Sequence, residues 1–81
     1  MPVILRVRGY RFFFFSNEGN PLEKAHIHVR KGEKLAKYWL VKEIYLAESF
    51  GFSPKELREI IEIIAQNHVL LLDSWHAYFN I

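Results

Sequence analysis

The chain contains no cysteine, which excludes a disulfide framework, a thiol nucleophile and a thiolate metal site together. It also lacks any apolar run near the roughly 18 residues that a membrane-spanning helix requires. The start, Met1-Pro2-Val3-Ile4-Leu5-Arg6, has no basic segment leading into a long apolar stretch and no small-residue cleavage site. The expectation is a cytoplasmic, unanchored protein. Glycine and proline are scarce, at four and three residues, and no Gly-rich phosphate loop, magnesium-type carboxylate cluster or Ser-His-Asp order is present. No repeat, linker or low-complexity stretch marks a second domain.

What is present is apolar and aromatic content, 51% and 16% of 81 residues, far from the composition that keeps chains disordered. The length suits one domain, 1–81, with a sheet region over 1–49 and a helical region over 53–80. A chain this small buries only about 60% of the surface it exposes when unfolded, so modest stability is expected. The net charge of +2 conceals a division: residues 1–42 hold nine Lys and Arg against three Glu, whereas residues 43–81 hold two basic against six acidic residues. A basic half points to phosphate or an acidic partner, or to mutual complementation of the halves on folding.

Val3 to Val7 is β-branched and apolar-rich, Arg8-Gly9 can form a tight turn, and Tyr10 to Ser16 is the most aromatic segment; together they read as a hairpin. Turn formers crowd Asn17 to Pro21, and alternation over His26–Lys31 and Lys34–Val41 across Gly32-Glu33 predicts a second hairpin. Ile44 to Ala47 is too short to assign as a fifth strand or a helical turn. Ser53-Pro54-Lys55-Glu56 carries a capping box with Pro at the first helical position. Leu57, Ile60, Ile61 and Ile64 then define one buried helical face. Apolar spacing continues through Val69, Leu72, Trp75 and Phe79, so a single helix would run past roughly 35 Å, and a break near Gln66-Asn67-His68 is expected. The predicted fold is α+β: a small antiparallel sheet of four to five strands in two hairpins, followed by one kinked or two consecutive helices packed on one face.

Two-residue turns would set Val7 opposite Tyr10, Leu5 opposite Phe12 and Val3 opposite Phe14, with Arg6 opposite Arg11 and Ile4 opposite Phe13. In the second hairpin Arg30 would oppose Leu35, His28 would oppose Lys37 and His26 would oppose Trp39. The face turned from the helices then gathers Arg6, Arg11, Arg30, Lys37, His26, His28, Phe13 and Trp39. Cations interleaved with aromatics suit nucleic acid, because Lys and Arg neutralise phosphates while rings stack on bases; Arg6, Arg11, Arg30 and Trp39 are the candidate contacts. Arg6 against Arg11 should repel, which makes more sense beneath an anion or an acidic segment. The alternative is a solvated outer face whose aromatics a dimer partner covers.

In His26-Ile27-His28 the imidazoles at i and i+2 project from one side of a strand. They could act as general base and acid in metal-independent RNA cleavage, with Lys37 or Arg30 stabilising the phosphorane. A metal would need a third ligand from Glu23, Asp73 or His76, none at a diagnostic spacing. Ordinary structural histidines are the plainer reading. Phe12 to Phe15 fills both faces of a central strand and reads as packing; Trp75, Tyr78 and Phe79 should close the core, with His68 and His76 at helix margins.

Met1-Pro2-Val3-Ile4, Ala25-His26-Ile27-His28-Val29, Ala36-Lys37-Tyr38-Trp39-Leu40, Leu46-Ala47 with Gly51-Phe52-Ser53, Glu56-Leu57-Arg58 and Trp75-His76 with Tyr78-Phe79 resemble a family of small bacterial proteins catalogued as domain of unknown function 4160. Members commonly carry Pro just before the His-x-His segment, where this chain has Lys24-Ala25. The resemblance implies a companion, a second small protein encoded alongside, in pairs proposed as toxin-antitoxin modules; it brings no catalytic residue. The resulting expectation is a toxin-antitoxin-type component that binds a small acidic partner protein, and RNA through the basic, aromatic sheet face, with no cofactor. The competing expectations are a non-catalytic interaction or regulatory domain that self-associates as a homodimer, and a small metal-binding protein using His26 and His28.

Overall fold

Arg8 and Gly9 both adopt positive φ, 52° and 84°, as a two-residue turn with the strand's own twist requires. In the computed structural model, which describes residues 3–15 and 24–79, this turn joins β1 (Val3–Val7) to β2 (Tyr10–Phe13). Ser16, the Asn17 to Pro21 turn cluster and Glu23 lie outside the described residues. A second two-residue turn, with Gly32 at φ 62°, joins β3 (His26–Lys31) to β4 (Lys34–Trp39). β5 (Tyr45–Phe50) completes a five-stranded antiparallel meander in the order β1-β2-β3-β4-β5.

The register follows the expected counting near both turns. Val7 faces Tyr10, Arg6 faces Arg11 and Leu5 faces Phe12, and the β3–β4 pairs run from His26 opposite Trp39 to Lys31 opposite Lys34. It departs at the far end of β1. Val3 pairs with Phe13 rather than Phe14, and Ile4 does not pair with Phe13, because the register shifts between Val3 and Leu5. A bulge of this kind blunts an edge strand that would otherwise offer a regular row of amides to another chain. The segment read as Ile44 to Ala47 is strand over Tyr45–Phe50, also with a shift, between Lys37 and Tyr38 on its partner.

Ser53 starts α1 (Pro54–Gln66) with the full capping box: Glu56 N donates to Ser53 Oγ at 3.1 Å and Ser53 N donates to Glu56 Oε1 at 2.9 Å. The buried face comprises Ile60, Ile63 and Ile64, with Leu57 and Ile61 at its margins. Ile63 is thus buried where Ile61 was expected to be, and Ile61 stands at the margin of the stripe. The break falls where expected. Asn67 ends α1, donating through Nδ2 to Ile63 O at 2.8 Å, and its own carbonyl accepts from Leu71 N at 2.9 Å as α2 (His68–Phe79) begins.

The core lies between one sheet face and these helices: Tyr10, Phe12, Phe14, Ile27, Val29, Tyr38 and Leu40 pack with Ile60, Ile64, Leu71 and Trp75. Burying each large apolar side chain contributes about 1.5–3 kcal/mol. Polar ties fix the helices on the sheet: Tyr38 donates to Leu57 O at 3.1 Å, Lys34 pairs with Glu56 at 2.9 Å, and His68 Nε2 donates to Leu40 O at 2.5 Å. Trp75 is fully enclosed and Phe79 half-buried, but Tyr78 stays 41% exposed, so it flanks the core rather than closing it. Among the described residues no helix is long and apolar enough to cross a membrane.

Candidate nucleic-acid interface

The sheet face turned away from the helices is built from three rows of directly opposed residues. The first crosses all five strands as Arg6, Arg11, Arg30, Leu35 and Phe50. The second runs Phe13, His28, Lys37 and Glu48, and the third His26, Trp39 and Tyr45. The register puts all eight residues expected on this face in these rows, but His26, at the end of the third row, is covered by Trp75 of α2 rather than turned away from the helices. Leu35 lies opposite Arg30 as expected, whereas Tyr45, Glu48 and Phe50 share the face without having been anticipated. They come from β5, which no apolar pattern long enough to assign had announced.

The rows differ in character. Arg6 and Arg11 are exposed and Arg30 is half-buried, and none of the three pairs with a described carboxylate. Arg11 has an arginine directly opposite it on each neighbouring strand. Beside it lies a depression of about 70 Å³ lined by Val3, Arg11, Phe13 and Arg30. Like charges placed directly opposite destabilise a strand pair, so the row is a cost to the fold that an anion would relieve.

The histidine end is enclosed. His26 is fully buried and His28 is 6% exposed. His26 lies 4.7 Å from Trp75 and 5.5 Å from Trp39 between ring centroids, and His28 packs on Phe15 at 4.3 Å and Phe13 at 5.7 Å. The two imidazoles are 5.3 Å apart. Nδ1 of His26 donates to the Lys24 carbonyl at 2.8 Å, a bond only a protonated Nδ1 can make. Lys37 sits over the Trp39 ring at 4.5 Å, a cation–π contact, and faces Glu48 across the strands. Among the described residues no group of three His, Asp or Glu gathers to hold a metal; Asp73 and His76 do not join His26 and His28.

On the helix side, ionisation is tuned by the packing. Backbone and Lys34 hydrogen bonds hold the Glu56 carboxyl down at about 2. Burial, reinforced by Glu59, pushes Tyr10 up to about 12, and burial also takes Tyr38 to about 12.

Fold and face together define an α+β protein: a five-stranded meander with two helices on one side and a cationic, aromatic row on the other. The chain belongs to the DUF4160 family, since the model of that domain of unknown function matches residues 9–76. Arg11, Arg30, Phe50 and both strand histidines fall within the matched span. No curated protein and no solved structure matches the chain.

Proposed function

We propose that this protein is the RNA-binding member of a two-protein module of toxin-antitoxin type, with RNA and a small acidic partner protein taken by the same sheet face. The observation that carries this reading is Arg11 set directly between Arg6 and Arg30, with no described carboxylate paired to any of them. Phosphates or acidic side chains supply the missing counter-charge. The division of the sequence into a basic first part and an acidic second part supports it. Binding to single strands should weaken with salt by about 0.7 in log K per log salt for each phosphate contacted, so three contacts give a slope near about −2.

Binding without cleavage is the reading the geometry favours, because an acid or base must come within hydrogen-bond reach of the scissile phosphate and both strand histidines are enclosed by aromatic rings. The 5.3 Å approach of the two imidazoles favours a second reading, in which His26 and His28 act as acid and base and Lys37 stabilises charge once that aromatic cover opens. The test is a salt titration of labelled single-stranded RNA against wild type and an Arg11→Gln/Arg30→Gln variant, followed on a gel for cleavage with and without EDTA. Salt-sensitive binding that the variant loses, with intact RNA, supports the proposal. Cleavage that persists in EDTA moves the case to histidine chemistry, and cleavage lost in EDTA to a metal. A dimer burying Phe13, Phe15 and Trp39, with no RNA binding at low salt, ends it.

A further inference from the structure

Phe50 ends the arginine row. It stands opposite Leu35, which stands opposite Arg30, and it is 64% exposed, the most exposed aromatic among the described residues. An exposed aromatic on an edge strand invites association and is ordinarily selected against unless it has a use. At about 4.8 Å per strand the row from β1 to β5 spans roughly 19 Å, with cations over its first half and an open ring at its far end. We infer that Phe50 is a base-stacking platform, and that the ligand is an unpaired strand lying across the sheet with phosphates on Arg6, Arg11 and Arg30 and a base on Phe50.

This rests on the reading of the face as RNA-binding and adds a ligand class to it. Bases inside a duplex are already stacked and cannot lie flat on a side chain, whereas an unpaired base offers its π-face to any exposed ring. The arginines alone would hold paired and unpaired strands through the same phosphates. The ring is what separates them.

The experiment compares wild type, Phe50→Ala and Phe50→Trp for binding to three probes. These are oligouridylate of about eight nucleotides, within the site size of one such binding face, an abasic strand of equal length, and an RNA duplex of equal length. Wild type should bind oligouridylate about tenfold more tightly than the abasic strand or the duplex. Phe50→Ala should lose that advantage while keeping the abasic affinity, and Phe50→Trp should restore it. Equal binding of all three probes, unchanged by Phe50→Ala, overturns the inference and leaves the RNA-binding reading standing. Absence of salt-sensitive binding to every probe overturns both. A dimer that Phe50→Ala dissociates without altering RNA affinity assigns the ring to self-association and overturns the inference.

Discussion

Arg11 on β2 faces Arg30 on β3 directly, at a position where the strand pair itself would be better served by opposite charges or by apolar side chains. Replacing Arg11 with Gln should therefore raise stability, by about 0.2–1 kcal/mol, while weakening RNA binding. Urea unfolding and a binding titration on the same preparation check both signs. A variant that is less stable than wild type would show that the arginines support each other through contacts of their own.

The cap of α1 is the most local of the structural claims and the simplest to measure. Ser53 and Glu56 satisfy each other's backbone amides, so Ser53→Ala removes one acceptor and leaves the Glu56 amide to water, at a cost of about 1 kcal/mol. Denaturant unfolding should show a lower midpoint with an unchanged slope.

Glu56 also sets an acid limit. Its carboxyl titrates at about 2 in the folded chain against 4.5 unperturbed, so its contribution to stability is complete above about pH 4.5 and is lost as pH falls toward about 2. Tyr10 and Tyr38 act at the other end. Their phenols are raised from 10.0 to about 12, so their contribution is complete below about pH 10 and is lost as pH rises toward about 12. Thermal melts across pH should fall in both windows. Glu56→Gln should flatten the acid arm alone, and Tyr38→Phe should reduce the alkaline one.

Most of this architecture is legible in the sequence because its signals are short-range. Arg8-Gly9 and Gly32-Glu33 fix the turns, the turns fix the register, and period-two alternation then assigns every side chain to a face. The failures are of two physical kinds. Bulges, at Ile4 in β1 and at Ala47 in β5, insert a residue that no counting rule anticipates, which is why Val3 meets Phe13; Phe50 went unplaced because the short segment read at Ile44 to Ala47 stopped before it. Burial is the other. Alternation says that His26 and His28 share a side of the strand, but whether that side is wet depends on Phe15 and Trp75, brought in from distant parts of the chain.

That burial separates the two ends of the open face by experiment. His26 and His28 pack against Phe13, Phe15, Trp39 and Trp75, so truncating either to Ala should cost about 2–4 kcal/mol, the range for emptying the space of a large buried side chain. A chain of this size has little stability to spare, so the loss should appear as a much lower unfolding midpoint. RNA affinity of the fraction still folded, measured in the cold, should stay at the wild-type value, because the arginine row lies on separate register positions. Arg11→Gln should do the reverse, lowering affinity without lowering the midpoint. An unchanged midpoint for His28→Ala together with lost RNA turnover would show instead that the imidazoles are reached by substrate, and the enclosed aromatic end would then be the working site.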